Sequence, residues 1–186
     1  MTQHPVLHVT ERLALRRFTL EDLDLLDRMN SDPEVMQYVG GTKTREETQI
    51  VLRDRILGYY DEHPGLGIWA TIERSSGTCI GMHLLNHIQG ETFIQVGYVL
   101  FRDYWGRGYA TEMSIALLRH GFMELGLQRI VAITNLPNVA SQRVLLKSGL
   151  HRNGERAFAH PAYAKSGPLA WFECDAADWL ADHPVS

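Results

Sequence analysis

Two cysteines in 186 residues, Cys79 and Cys174, are too few and too far apart to found a disulfide framework. They read as reduced core thiols, which fits a cytoplasmic protein. No apolar run approaches the roughly 20 residues that cross a bilayer, so no membrane partner is expected. The opening Met1-Thr2-Gln3-His4-Pro5 has neither the basic nor the apolar region of a secretory signal. Positive charge is not in excess: 18 Lys and Arg against 22 Asp and Glu leave a formal charge of -4. That balance argues against a nucleic-acid partner. Nine histidines are scattered without metal-ligand spacing, so no metal is expected. No internal repeat or Gly/Ser/Pro-rich linker divides the chain, and residues 1–186 read as a single domain. The remaining composition, 45% hydrophobic and 22% charged, suits a globular protein with a full core.

Periodicity supplies the elements. Leu13 to Phe18 reads as a strand. Thr19 opens a helix with Asp22 as its capping-box partner; Leu23, Leu26 and Met29 form its apolar edge, and Asp32-Pro33 stops it. Pro33 suits the first turn of a short following helix. Thr44 and Glu47 repeat the capping signature ahead of Ile50, Leu57 and Tyr60, which are expected on one helical face. Leu66–Arg74, Cys79–His87 and Thr92–Phe101 then read as an antiparallel meander, separated by Ser75-Ser76-Gly77 and Gln89-Gly90. From Thr111 the period is helical, with Ile115, Leu118, Phe122 and Leu125 on one face and Gly126 as a C-cap. Arg129–Thr134 is a strand, Asn138–Ser148 a short helix closed by Gly149, and Leu169–Asp175 a last strand. The order β-α-α-β-β-β-α-β-α-β-β defines an α+β protein, one mixed sheet with helices on both faces.

The richest stretch runs from Tyr98 to Glu112: a strand that stops, a glycine-punctuated loop and the first turn of a helix. A helix N-terminus leaves N–H groups unpaired and attracts negative charge, and glycines let an anion approach the main chain. The loop lacks the Gly-Lys-Ser/Thr of a Walker motif. Three antiparallel strands precede it, which does not suit a dinucleotide fingerprint. By itself it is either a phosphate cradle or a tight turn without a ligand.

Trp105-Gly106-Arg107-Gly108-Tyr109-Ala110-Thr111-Glu112 closely resembles the acetyl-CoA pyrophosphate loop of the GNAT N-acetyltransferase superfamily, whose core is Gln/Arg-x-x-Gly-x-Gly/Ala. Gly108 and Ala110 fit its last two fixed positions, and Trp105 replaces the Gln/Arg. The Trp-Gly-x-Gly-Tyr-Ala-Thr-Glu form resembles the RimJ/RimL-like branch, the ribosomal-protein N-terminal acetyltransferase type. So do Asn135–Leu150, Thr10–Arg16 and Ser31–Met36. The resemblance implies a mostly antiparallel sheet whose central strands splay between Phe101 and Arg129–Thr134. Pantetheine of acetyl-CoA would pair with the backbone of Tyr98, Val99 and Leu100. Amides from Trp105 to Ala110 (Gly106, Arg107, Gly108 and Tyr109 between them) would hold the pyrophosphate, with Thr111 in the same motif. Arg107 and Arg143 would add positive charge, whereas Lys147 reads as solvated surface. Asn138 reads locally as an N-cap, and by resemblance also as a pantetheine ligand. Ser141 lies at N3 and by resemblance lies near the thioester sulfur, where its hydroxyl can protonate the leaving thiolate.

The implied activity is direct transfer of acetyl from acetyl-CoA to a primary amine, either a peptide N-terminus or a small molecule. The alternative is a non-catalytic acyl-CoA-binding sensor or assembly module. A backbone N–H near Val99 could steady the oxygen that gains charge. Many members of the branch carry Glu two residues before the Gly-Tyr pair. Gln95 stands there and cannot act as a base. His83 and His87, an even number apart on one strand, and Glu91 are the candidates that remain. The segment Pro33–Pro64 is expected to wall the acceptor, and the protein to be a monomer or homodimer.

Overall fold

The computed structural model describes residues 6–184. Met1–Pro5, read above for signal character, lies outside them. In chain order the elements are β1 (Val6–Val9), β2 (Leu13–Arg17), α1 (Leu23–Asn30), α2 (Pro33–Met36), α3 (Arg45–Ile50), a π-wound stretch (Val51–Leu57), α4 (Gly58–Glu62), β3 (Gly67–Glu73), β4 (Cys79–His87), β5 (Ile94–Leu100), α5 (Tyr109–Met123), β6 (Arg129–Asn135), α6 (Val139–Lys147), β7 (His151–Arg156), β8 (Leu169–Asp175) and α7 (Ala176–Asp182). The chain forms two compact units, one of residues up to Leu84 with Tyr98–Tyr109, the other of Leu85–Gly97 with residues from Ala110 onward. Among the described residues no helix is long and apolar enough to cross a membrane.

In the first unit the strand order is β1-β2-β3-β4-β5. β2 and β3 are antiparallel, from Leu13 opposite Glu73 to Arg17 opposite Trp69. Leu13 and Leu15 are fully buried, as alternation along a half-buried strand requires. The Thr44/Glu47 capping box forms in full: Glu47 N–H donates to Thr44 Oγ1 at 3.2 Å and Thr44 N–H to Glu47 Oε2 at 2.8 Å. The helical face that follows differs from the one expected. Ile50 is 54% exposed, and the buried positions are Thr48, Leu52, Ile56 and Tyr60. A repeat of four residues drifts about 40° per step around an α-helix. The wider turns of Val51–Leu57 take up that drift and keep all four residues facing the core.

In the second unit the order is β4-β5-β6-β8-β7. β6 and β8 are antiparallel over seven register pairs, from Arg129 opposite Asp175 to Asn135 opposite Leu169. β5 and β6 run parallel, with Gln95 opposite Val131. The mostly antiparallel mixed sheet is thus the expected one. β7 is an edge strand whose six residues are all exposed. Its register with β8 shifts between Arg152 and Glu155, where Gly154 has a φ of +81°. α5 begins at Tyr109, two residues before the expected start. It closes with Gly126 at φ +66° and the Leu127 N–H donating to Gly121 O at 3.0 Å. The C-terminal α7 is held by Trp179, whose Nε1 donates to Ser148 O at 2.8 Å.

Candidate active site

The end of β5 is shaped from below and from the side. Gly81 on β4 brings the two backbones into close approach, and Phe101 N–H donates to Ile80 O at 3.0 Å. Val99 and Phe101 pack into a buried cluster with Met29, Val35 and Met36, which places the α1–α2 hairpin against the end of the strand. Asp32 caps α2 by accepting from the Glu34 and Val35 N–H groups, and its second oxygen lies 3.3 Å from Arg102 Nε. Arg102 Nη1 also meets Glu34 Oε1 at 2.6 Å. The chain leaving β5 is therefore tied to a helix N-terminus before it reaches the glycine loop.

A 3-10 turn, Arg102–Tyr104, follows. It takes up the Trp105 N–H, which donates to Arg102 O at 3.0 Å, while the Trp105 indole donates to Leu100 O at 2.8 Å. The cradle's amides therefore start at Gly106 rather than at Trp105. Gly106 and Gly108 have φ of +72° and +79°, the left-handed region that glycine occupies without a Cβ penalty. Nothing lies within 4 Å of where a Gly106 Cβ would be. Among the described residues no group accepts from the N–H of Gly106, Arg107 or Gly108. Successive unspent amides leading into a helix start suit an anion. The Arg107 guanidinium sits 5.4 Å from the centre of the Tyr104 ring, and Arg107 is exposed.

Tyr98, Val99, Leu100, the loop to Tyr109 and His83 fall in the first unit. His83 is fully buried; its Nδ1 is hydrogen-bonded to Thr71 Oγ1 at 2.7 Å, and its ring centre lies 5.7 Å from that of Tyr98. Ala110, Thr111, Asn138, Ser141, Arg143 and the half-buried His87 fall in the second unit. There Asn138 Oδ1 accepts the Ser141 N–H at 3.1 Å, the N-cap bond that its local sequence anticipates. The Ser141 hydroxyl makes no hydrogen bond with the described residues, and Arg143 is exposed. Gln95 is buried, and its Nε2 donates to Asn86 Oδ1 at 3.3 Å. Its carboxamide thus pairs with a neighbouring carboxamide on β4.

Three residues near the loop had no role in the sequence reading. Arg12 Nη1 donates to Arg107 O at 2.9 Å, and its guanidinium lies 4.6 Å from the centre of the Tyr109 ring. Tyr109 donates its hydroxyl to Glu73 Oε1 at 2.5 Å. That bond, with a second from Ser76, holds the Glu73 carboxyl below the usual carboxylate range. Gly81 sits within a strand, where glycine marks close backbone approach. Arg12 belongs to the Thr10–Arg16 segment, but nothing local indicates a partner 95 residues away.

A mostly antiparallel sheet with one parallel pair, followed by an amide-presenting loop and a long helix, defines an acetyltransferase architecture. The chain belongs to the acetyltransferase (GNAT) domain family, which matches residues 12–151. It is 35% identical over 163 residues to the uncharacterized N-acetyltransferase p20 of Bacillus licheniformis, across 80% of this chain and 86% of that protein. An acetyltransferase structure from Agrobacterium tumefaciens str. C58 matches with a TM-score of 0.76 at 26% identity, covering 94% of this chain and 96% of that one. RimL, the ribosomal L7/L12 alpha-N-protein acetyltransferase solved in complex with coenzyme A, shares the fold. Its TM-score is 0.75 at 17% identity, over 92% of this chain and 98% of that one.

Proposed function

We propose that this acetyltransferase moves an acetyl group from acetyl-CoA directly to a primary amine, with no acyl-enzyme stage. The observation that carries the proposal is the loop: left-handed Gly106 and Gly108 present unspent amides at the start of α5. Those residues fit a pyrophosphate, because the Gly106 position is open and the amides have no competing acceptor among the described residues. The backbone of Tyr98, Val99 and Leu100 is assigned to the pantetheine arm. Gly106 to Ala110 and Thr111 are assigned to the pyrophosphate, with Arg107 and Arg143 as cations. Acetyl-CoA supplies the activated acyl group.

The residues then have distinct tasks. The Val99 N–H steadies the oxygen that becomes negative as the amine attacks. The Ser141 hydroxyl, without a hydrogen-bond partner among the described residues, donates a proton to the departing sulfur. Of the two candidate bases for the amine proton, half-buried His87 is open to an incoming amine, whereas His83 is fully buried with Nδ1 engaged by Thr71. Neither cysteine supplies a nucleophile: burial pushes the Cys79 thiol up and raises Cys174 to about 12, far from thiolate at neutral pH. Both thiols are free, which supports a cytoplasmic setting.

The test is thiol release from acetyl-CoA in the presence of peptides with free N-termini and a panel of small amines. RimL's action on a protein N-terminus makes peptides the first members of the panel. Amine-dependent release, with an acetylated amine identified by mass, is the expected result. Tight coenzyme A binding with no release on any acceptor would favour a non-catalytic sensor.

A further inference from the structure

The loop that reads as the anion cradle is held by more than its own sequence neighbourhood. Contacts from the first strands converge on it. Arg12, in the turn between β1 and β2, donates from Nη1 to the carbonyl oxygen of Arg107 at 2.9 Å. Its guanidinium lies over the Tyr109 ring at 4.6 Å, and its Nη2 is 3.4 Å from where a Gly108 Cβ would stand. Tyr109 is fixed by its hydroxyl bond to Glu73, and Glu73 by a second bond from Ser76 Oγ at 2.7 Å. The Arg12 backbone is pinned in turn, since its carbonyl accepts the Arg74 N–H at 2.9 Å. Arg74 Nη1 also donates to the carbonyls of Thr10 and Glu11, each at 2.8 Å.

The consequence lies in the geometry of a peptide group. The bond between Arg107 and Gly108 is planar and trans, so its C=O and N–H point in opposite directions. Fixing the Arg107 oxygen on Arg12 therefore fixes the Gly108 N–H pointing away from Arg12. A flip of this peptide would turn a carbonyl toward the anion and withdraw a donor. Glycine on the C-terminal side makes that flip sterically easy. The barrier has to come from elsewhere, and a charge-assisted hydrogen bond supplies it.

We infer that Arg12 is a positioning residue for the donor site, holding the Arg107–Gly108 peptide in the orientation that presents the Gly108 N–H to a pyrophosphate. The inference rests on the proposed acetyl-CoA reading for its ligand. Its structural half, the orientation of one peptide, stands without any ligand. The guanidinium does this work better than an ammonium would, because one flat group both donates to the carbonyl and stacks on Tyr109.

Calorimetric titration of the full chain and of Arg12→Met with coenzyme A and with dephospho-coenzyme A tests it. The two ligands share the pyrophosphate and differ in the 3′-phosphate. An equal loss of roughly tenfold in affinity for both is expected, from removal of one charge-assisted hydrogen bond. A loss confined to coenzyme A would make Arg12 a direct 3′-phosphate ligand and overturn the inference, as would no loss for either. Arg12→Lys, which keeps a donor but not the stacked plane, is expected to fall between the two and serves if the Met variant does not fold. Amide exchange and the NMR shift of Gly108 in the ligand-free proteins give a readout that needs no binding. An unchanged Gly108 signal in the Arg12 variants would sink the inference. Wild-type protein that bound neither ligand would count against the acetyl-CoA reading alone, and the Gly108 signal would still decide the brace.

Discussion

A Cβ on Gly81 would collide with the carbonyl oxygen of Val99 and stand 2.7 Å from the Cα of Leu100. The neighbours are backbone, not the tips of flexible side chains, and Gly81 also has a φ of +152°. β4 can approach the end of β5 this closely only because the residue there lacks a side chain. Gly81→Ala must displace the backbone proposed to hold the acyl group, and a loss of about 3 kcal/mol is expected. Gly77→Ala isolates the cost of φ alone: Gly77 has a φ of +69° with nothing within 4 Å of its Cβ position. That variant is expected to lose about 1 kcal/mol. Urea unfolding of both compares the two, and equal losses would show that the close approach to Val99 carries no energy.

Asp22 joins the end of β2 to the first helical turns. Its carboxylate receives Arg16 through two hydrogen bonds, at 2.8 and 2.7 Å, and the Thr19 N–H at 2.8 Å. Burial by itself would push this carboxyl up. The bonds from Arg16 and Thr19 together with the Arg16 charge outweigh burial and hold it below its ordinary value. A folded value below the unfolded one stabilises the protein fully above about pH 4 and is lost as pH falls through the folded value. Asp22→Asn is expected to cost roughly 3 kcal/mol at neutral pH, because Arg16 is left half-buried without its partner. Denaturation of both proteins at neutral and at acid pH should show the gap narrowing below about pH 4. A gap of constant size would mean that the carboxylate charge is irrelevant.

Tyr60 closes the π-wound helix onto the sheet. Its hydroxyl donates to Ile68 O and accepts the Phe18 N–H, and the Arg17 guanidinium lies 4.8 Å from the ring centre. Burial pushes the phenol up to about 12, against the smaller opposing pull of the Phe18 N–H and Arg17. The folded value exceeds the unfolded one near 10, so the contribution is whole below about pH 10 and is lost as pH rises toward 12. Tyr60→Phe leaves a buried N–H and C=O unpaired and is expected to cost about 2 kcal/mol. Phenolate absorbance should lose the component near 12 in the variant. Its persistence would assign that component to another tyrosine.

Much of this architecture is legible in the sequence because it depends on local rules. The Thr44/Glu47 box, the stop at Asp32-Pro33 and the Gly126 C-cap are side-chain and backbone preferences that act within one turn. The loop is legible for the same reason, since φ above zero selects glycine at positions 106 and 108. What is illegible depends on partners. The expected order includes two strands after the last helix, but β7, His-Arg-Asn-Gly-Glu-Arg, has no buried face and so no hydrophobic alternation to set its bounds. Ile50 has the chemistry of a core residue, but the wide turns place Leu52 and Ile56 inside instead. Arg12 meets Arg107 across 95 residues, and composition cannot encode such a meeting.

Asn138 and Ser141 each admit two readings, and variants at the two positions separate them. Asn138 Oδ1 caps α6 by accepting the Ser141 N–H, so Asn138→Ala is expected to cost about 1 kcal/mol of stability. Asn138→Asp keeps a capping oxygen and should restore that stability. If the side-chain amide also serves the pantetheine arm, the Asn138→Asp variant will be stable yet bind coenzyme A more weakly. Its amide donor is gone, and a negative charge has replaced it. Full affinity in that variant would reduce the residue to a cap. Ser141→Ala leaves the cap untouched, since the bond uses the Ser141 backbone, and its stability should match wild type. Protonation of the leaving sulfur, if Ser141 supplies it, makes turnover fall by roughly a hundredfold with little change in the KM for acetyl-CoA. Undiminished turnover would remove Ser141 from the chemistry and leave its hydroxyl a half-buried group without a task.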